Sequence, residues 1–186
     1  MKPSLLAFGL LAPLLAADSE IIRRLDDVAR TATVMVDGDV CRRIVTPRAL
    51  DYMFKKDPGD PWAAGDNYEV NDAAFIAVKK TLLRLSRLAP FACDVNLWMP
   101  VPGHPDKIRV VIRNVNELSQ FWPWGALYQD MIPSMKQVLD TGRRVTVREK
   151  PGWISVLAPV YDSMGDIVAL TETVTHQPVD SHENVK

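Results

Sequence analysis

The segment from Trp153 to Thr175, WISVLAPVYDSMGDIVALTETVT, constrains the fold of this chain more than any other segment. Residues Trp153–Tyr161 and Asp166–Thr175 are rich in β-branched and aromatic residues, which favour extended strands. Between them, Asp162-Ser163-Met164-Gly165 has Asp first and Gly last, as a type I turn favours. The segment therefore predicts a β-hairpin in which Asp162 serves the geometry of the turn.

Composition is that of an ordinary globular domain with a substantial core. The chain has 186 residues, of which 47% are hydrophobic and 24% are charged. Lys and Arg total 22 against 23 Asp and Glu, so the chain lacks the basic excess that is typical of nucleic-acid-binding domains. We therefore expect one main domain and no nucleic-acid partner.

The N-terminus has the pattern of a secretory signal peptide over residues 1–17. Lys2 precedes the apolar run Leu5–Ala17, and the polar residues that begin at Asp18 follow it. The run is shorter than the about 20 residues that span a membrane comfortably. The pattern predicts cleavage after Ala16 or Ala17 and a periplasmic or secreted protein, with an uncleaved anchor as the alternative.

The two cysteines, Cys41 and Cys93, are compatible with an oxidising compartment, where one disulfide could join them. Such a bridge would tie the first helix to the first strand and close a long loop. The alternative is two buried free thiols, since Cys often packs as a small core residue. The sequence leaves both open. It contains no C-x-x-C motif, so redox catalysis and covalent haem attachment are not indicated.

Two helices are predicted before the sheet. The first is long, is capped by Ser19 and carries one apolar stripe that continues to Ile44, with Gly38 as its weakest point. The second spans Asp72–Leu88 with Asn71 as its cap. Residues 48–70 look irregular, and the DPGDP sequence at 57–61 is typical of a loop.

The rest of the chain is predicted to be mostly extended. A short helix, Pro133–Asp140, begins with proline and is followed by Gly142. Five antiparallel strands are predicted at Asp94–Met99, Lys107–Val115, Arg143–Arg148, Trp153–Tyr161 and Asp166–Thr175. The expected fold class is α+β, with two N-terminal helices packed on this five-stranded sheet. The domain spans 18–176, and the polar tail 177–186 is expected to be disordered.

The hairpin pattern, an aromatic residue and apolar runs around APVYDSMG, resembles the last hairpin of extracellular Cache domains, the PAS-like sensor modules of bacteria. Further segments resemble the corresponding parts of such domains: VDGDVCRRI, the helix within Asn71–Pro90, DVNLWMP followed by IRVVIRN, and Tyr128 with PSMKQVLDTG. The resemblance covers about residues 19–175 and implies a PAS-like sheet. In that family a membrane helix and an output domain normally follow. Neither is apparent after Thr175, so we expect a sensor module with no output domain of its own.

The resemblance also implies a ligand pocket between the concave sheet face and the segments that cross it. The candidate ligand-binding residues are Trp98, Arg113, Tyr128, Trp153 and Tyr161. Arg113 lies on an otherwise apolar strand and could hold a carboxylate in bidentate geometry; the alternative is that it faces solvent. The tryptophans could equally be core or lid residues.

The sequence offers little support for an enzyme, a metal site or a cofactor. It contains no G-x-S-x-G, H-E-x-x-H or P-loop motif, and its three histidines share no metal spacing. The acidic segment from Asp57 to Asp72 lacks EF-hand spacing, which favours a solvated loop over a Ca²⁺ site.

The favoured hypothesis is therefore a sensor module for a small molecule, such as a carboxylate, that works with a membrane-bound signalling partner. One alternative is an interaction module that dimerises through the first helix, because the apolar stripe of that helix could pack either on the sheet or on a partner. The other alternative is an unrecognised hydrolase or metal enzyme.

Overall fold

The structure, a computed structural model, describes residues 11–47, 49–51, 72–122 and 126–177. The described residues include four helices: α1 (Leu11–Met35), α2 (Gly38–Arg42), α3 (Asp72–Ser86) and α4 (Pro133–Thr141). They also form six strands: β1 (Asp94–Val101), β2 (His104–Ile112), β3 (Gln129–Asp130), β4 (Val145–Val147), β5 (Trp153–Tyr161) and β6 (Ile167–His176). The predicted α+β class is confirmed. The predicted DPGDP loop, the Asn71 cap and the tail from residue 178 onward lie outside the described residues.

The six strands form one antiparallel sheet in the order β3-β2-β1-β6-β5-β4. The predicted hairpin is present as β5 and β6, with Trp153 opposite His176 at its open end. Its turn is closed by Gly165, whose N–H donates to the Asp162 carbonyl at 3.0 Å, while the Asp162 carboxylate accepts from the Met164 N–H at 3.0 Å. Asp162 therefore has the turn role that the sequence predicted.

The expected number of strands was wrong by one. Residues Gln129 and Asp130 form a short edge strand that pairs with Lys107 and Ile108 of β2. A strand of two residues is too short to leave an alternating pattern in the sequence. The predicted second strand, Lys107–Val115, is also shifted, because β2 begins at His104 and the chain leaves the sheet after Ile112.

The prediction of one continuous first helix was wrong at both ends. Helix α1 begins at Leu11, so Ser19 does not cap it, and it ends at Met35. The Asp37 carboxylate then caps α2 by accepting the Val40 N–H at 3.0 Å. Gly38 is required at this point because a Cβ atom there would lie 2.3 Å from the carbonyl oxygen of Tyr161. The helix therefore ends where α2 must approach the end of β5.

The other two helices lie close to their predicted positions. Helix α3 ends at Ser86 rather than Leu88, and the Leu88 side chain, expected on the apolar face, is 58% exposed. Helix α4 begins at Pro133, and Gly142 ends it in the left-handed region with φ 68°. Pro133 and Gly142 therefore mark the start and the end of α4, as the sequence predicted.

Helices α1, α2 and α3 cover one face of the sheet. The buried stripe of α1 packs against β5 and β6, and it consists of Ile21, Leu25, Val28, Ala29, Ala32 and Val36. The outer face of α1 instead carries ion pairs such as Glu20–Arg23 and Asp27–Arg30. The expected stripe therefore packs on the sheet, whereas the Met35 side chain at the end of α1 is 59% exposed. Among the described residues, no helix combines the length and apolar character needed to cross a bilayer.

The opposite face of the sheet is covered by α4 and by the segment that follows β2. Its apolar core contains Trp98, Ile108, Met135, Val138, Val147, Leu157 and Leu170. A second, polar group of buried side chains lies on the same face, along β1 and β6, and includes Asn96 and Glu172. This face thus combines an apolar part under α4 with a polar part under the segment that follows β2.

Both cysteines are free thiols, which is the second of the two alternatives that the sequence left open. Cys41 packs in the core between α2 and the sheet, while Cys93 packs with Leu25 and Ile154 in a separate cluster. Burial raises the pKa of each thiol to about 12. Because the thiolate is the reactive form, we expect both groups to react slowly in the folded protein.

Candidate functional site

A cavity of about 260 Å³ lies beside the outer edge of β2, and we call it the edge cavity. Strand β3 pairs only with Lys107 and Ile108, so the later residues of β2 lie beside the cavity rather than beside a strand. Helix α3 forms the opposite wall. The lining residues are Phe75, Lys79, Val110, Val111, Arg113, Asn114, Glu117, Trp122, Ala126 and Leu127.

Arg113 is the central charged group of the edge cavity. Its guanidinium carbon lies 3.8 Å from the centroid of the Trp122 ring, which is the geometry of a cation–π contact. One of its nitrogens lies 3.8 Å from a Glu117 carboxylate oxygen. The Lys79 ammonium group, on α3, donates a hydrogen bond to the Arg113 carbonyl oxygen. The Trp122 ring thus lies against the guanidinium group, and Lys79 anchors the backbone that carries it.

The charge of the lining favours an anion. It comprises two cations, Lys79 and Arg113, against one carboxylate, Glu117. A guanidinium stacked on an aromatic ring keeps its N–H groups in the plane parallel to the ring, where a planar anion can meet two of them. The other lining residues include Phe75, Val110 and Leu127, but polar groups form most of the cavity surface, which suits a charged ligand better than an apolar one.

The segment 113–122, which carries Arg113 and Trp122, is held to the sheet by polar side chains of β1. The Asp94 carboxylate accepts from the Asn116 side-chain amide at 2.8 Å and from the Leu118 N–H at 2.9 Å. Asn96 accepts the Asn114 N–H at 3.0 Å and donates to the Leu118 carbonyl at 2.7 Å. Because Asp94 and Asn96 are fully buried, these bonds are shielded from competing water.

Glu172 is the third buried polar residue of this group, and its side chain is fully buried opposite Asn96 on β6. Its carboxyl oxygens accept hydrogen bonds from five groups: Trp98 Nε1 (3.1 Å), Asn96 Nδ2 (3.3 Å), Ser119 Oγ (2.7 Å), Gln120 N (3.0 Å) and Ser155 Oγ (3.0 Å). Within the described part of the chain, Glu172 has no ion pair. Burial raises the pKa of Glu172, and the hydrogen bonds counteract that effect only in part.

The structure does not bring the five predicted ligand-binding residues together. Arg113 alone among them lines the edge cavity. Trp98 is 1% exposed, and its indole N–H donates a hydrogen bond to Glu172. Tyr128 and Trp98 instead lie on either side of a narrow gap beside Ile108 and Val110 of β2, which is too small to hold a ligand.

Trp153 and Tyr161 lie at opposite ends of β5 and cannot share one small pocket. They are eight residues apart on one strand, which separates their Cα atoms by roughly 27 Å. The Trp153 ring lies 4.5 Å from the His176 ring, centroid to centroid. The Tyr161 hydroxyl lies against Gly142, at the end of α4.

Lys79 and Glu117, which line the edge cavity, and Glu172, which lies behind it, were not identified from the sequence. Lys79 is one of two adjacent lysines on α3, and only the packing of α3 against the sheet shows which of them reaches the cavity. Glu172 did leave a signal, because it is the single acidic residue in the β-branched run VALTETVT. A charged residue in a strand buried on both faces is rare unless its charge is accommodated by specific partners.

Among the described residues, no group of three or more His, Cys, Asp or Glu side chains is placed to hold a metal ion. The acidic segment that the sequence raised as a Ca²⁺ candidate lies almost wholly outside the described residues.

No protein-family model and no curated protein matches this sequence significantly.

Proposed function

We propose that this chain is a periplasmic or secreted sensor module of the PAS-like Cache type, which binds a small anion in the edge cavity. The observation that carries the proposal is the Arg113 guanidinium, stacked on Trp122 at 3.8 Å within a cavity that Lys79 also lines. An antiparallel sheet with helices on one face, and with a crossing segment and short helix on the other, supports the same interpretation.

The chemistry of the cavity favours a carboxylate over an amine or a neutral ligand. Two cations against one carboxylate leave an excess of positive charge for the ligand to neutralise. A carboxylate is planar and matches the paired N–H groups of a guanidinium. The volume of about 260 Å³ lies below the roughly 300–1,000 Å³ of sites for drug-sized molecules, so the ligand is a small one.

The alternative, an interaction module that dimerises through α1, has less support. The apolar stripe of α1 is used in packing on β5 and β6, so a partner could reach it only by displacing the sheet. Among residues 18–35 of α1, whose side chains the structure describes, the large apolar residues that are exposed are Val34 and Met35, at 80% and 59%. They are few for a stable dimer interface, which buries about 800 Å² on each partner.

A thermal-shift screen tests the proposal. The purified protein is heated with a panel of acetate, lactate, succinate and malate, and with ethanolamine and glucose as a cationic and a neutral control. Ligand at about 100 times its Kd stabilises the folded state by roughly 2.7 kcal/mol, which raises Tm measurably. We expect at least one carboxylate to raise Tm and neither control compound to do so.

The site is located with two arginine variants. Arg113→Ala should abolish the carboxylate-dependent shift in Tm. Arg30→Ala is the matched control, because Arg30 lies on the outer face of α1 and pairs there with Asp27. A shift that survives Arg113→Ala, or a panel in which no carboxylate raises Tm, would contradict the proposed site.

A further inference from the structure

A continuous series of contacts joins Glu172 to the edge cavity, although Glu172 does not line it. The Ser119 hydroxyl donates to Glu172 Oε2 at 2.7 Å. The same hydroxyl oxygen accepts the backbone N–H groups of Phe121 and Trp122, each at 3.2 Å. The Trp122 ring then stacks on the Arg113 guanidinium at 3.8 Å.

The Ser119 hydroxyl can take only one orientation in this series. A hydroxyl has one donor and two acceptor sites, and all three are used here. Because Glu172 is an acceptor, it fixes the direction of the hydroxyl hydrogen and leaves both lone pairs directed at the backbone of Phe121 and Trp122. Without an acceptor at position 172, the hydroxyl would turn and one of those N–H groups would lose its partner.

Gln120 forms a second tie between Glu172 and the same segment. Its N–H donates to Glu172 Oε1 at 3.0 Å. Its side-chain amide donates to the Val147 carbonyl at 3.1 Å and to Ser155 Oγ at 2.8 Å, and its Oε1 accepts from Glu149 N at 3.2 Å. Residues 119 and 120 are thereby fixed to β4, β5 and β6 together.

We propose that Glu172 is a positioning residue of the edge cavity, whose carboxyl group holds Ser119 and Gln120 so that Trp122 lies against Arg113. Its ligand-related importance rests on the proposed function, whereas the placement of Trp122 is a property of the protein without ligand. The two statements can therefore fail separately.

The placement is read directly by ¹⁹F NMR of protein labelled with 5-fluorotryptophan, with the Trp122 resonance assigned through Trp122→Phe. Glu172→Leu removes both acceptor oxygens, and Ser119→Ala removes the hydroxyl alone. In both variants the Trp122 resonance should move toward the shift of unfolded protein, and the affinity for any carboxylate that binds the wild type should fall at least tenfold.

Conservative substitution separates positioning from a general role in stability. In Glu172→Gln the amide oxygen can still accept from Ser119, Trp98 and Asn96, but the amide nitrogen takes the place of the oxygen that accepts the Gln120 N–H. The Trp122 resonance should therefore move less than in Glu172→Leu, because the contact through Ser119 is kept and only the one through Gln120 is lost. Thr171→Val is the matched control on the same strand, because in the described structure the buried Thr171 hydroxyl has no hydrogen-bond partner. Val156→Ala, in the core on the opposite face, should lower Tm without moving the Trp122 resonance.

The outcomes discriminate in every case. If Glu172→Leu does not fold, Ser119→Ala decides the question, since it removes one hydroxyl from a partly buried segment. An unmoved Trp122 resonance in folded Ser119→Ala overturns the positioning role. A moved resonance in a protein that binds none of the four carboxylates supports positioning and contradicts the proposed function. Binding that is unaffected by both variants leaves the proposed function intact and overturns the importance of Glu172 for the ligand, whereas the Trp122 resonance alone decides the placement.

Discussion

The indole N–H of Trp98 donates a hydrogen bond of 3.1 Å to the carboxyl group of Glu172, between two neighbouring strands of the sheet. Both side chains are buried, so neither can exchange this bond for one to water. Trp98, which sequence reasoning assigned to the ligand, thus stabilises the polar group that holds segment 113–122.

Trp98→Phe should therefore lower the free energy of unfolding by about 1–3 kcal/mol, because it leaves a buried acceptor with one bond fewer and a smaller ring. Urea denaturation followed by circular dichroism measures the change. Trp153→Phe is the control: Trp153 is only partly buried at the strand end, and its replacement should cost less than about 1 kcal/mol. Equal losses in the two variants would argue against a special role for the Trp98–Glu172 bond.

Glu172 should give stability a pH dependence of unusual sign. Burial raises the pKa of Glu172 above its ordinary value of 4.5, so the folded protein retains a proton that the unfolded chain has released. This contribution to the free energy of unfolding is complete below pH 4.5 and is lost as pH rises through the folded pKa. The groups that donate hydrogen bonds to the Glu172 carboxyl are all neutral. The other carboxylate that contacts segment 113–122 is Asp94, which lies two residues from Asn96 on β1.

The comparison of wild type with Glu172→Gln isolates that contribution. Other carboxylates act in the opposite direction; hydrogen bonds from Arg23 and Arg24 lower the pKa of Glu20 to about 2, so its contribution is lost as pH falls below 4.5. Glu20 is unchanged in the variant and cancels in the difference. The free energy of unfolding of the wild type minus that of Glu172→Gln should fall as pH rises from 4.5. A difference that stays flat or rises as pH increases from 4.5 would contradict the raised pKa of Glu172.

Gly38→Ala should destabilise the junction of α2 with β5. The added Cβ would lie 2.3 Å from the Tyr161 carbonyl oxygen and 2.8 Å from the Asp162 nitrogen, both backbone atoms that cannot rotate away. We expect a loss of about 1–3 kcal/mol in the free energy of unfolding, as for other overpacked sites. Gly103→Ala is the comparison. The φ of 77° at Gly103 is unfavourable for alanine, but the space around a Cβ atom there is open. A smaller loss at Gly38 than at Gly103 would contradict the close approach.

The two thiols should be inert. With each pKa raised to about 12 by burial, neither Cys41 nor Cys93 should react with Ellman's reagent at pH 8 until the protein is unfolded. Two equivalents should react in guanidinium chloride without prior reduction. A Tm that falls on addition of dithiothreitol, or an absence of reactive thiols after unfolding, would instead indicate the disulfide.

Local signals explain what the sequence predicted well. The β5–β6 hairpin depends on β-branched strands and on Asp162 and Gly165 in one turn, all within a short segment. Helix α4 is likewise bounded by Pro133 and Gly142. These features need no knowledge of distant parts of the chain.

Long-range contacts explain what sequence reasoning missed. The break at Gly38 is set by the approach of α2 to Tyr161, far away in the chain. The hydrogen bonds of Glu172 depend on its register opposite Asn96, and the distance between Trp153 and Tyr161 depends on their lying at the two ends of one strand. Arg113 was predicted from its apolar strand, but its stacking on Trp122 requires the segment between them to fold back.

The most direct measurement is a titration of the four carboxylates into ¹⁵N-labelled protein, followed by the arginine side-chain Nε–H resonances, with Arg113 assigned through Arg113→Lys. Binding in the edge cavity predicts that the Arg113 Nε–H resonance shifts saturably with at least one carboxylate, while that of Arg30 on the outer face of α1 does not. If the Arg113 resonance stays fixed while other arginine resonances shift, or if none shifts with any carboxylate, the edge cavity is not an anion site.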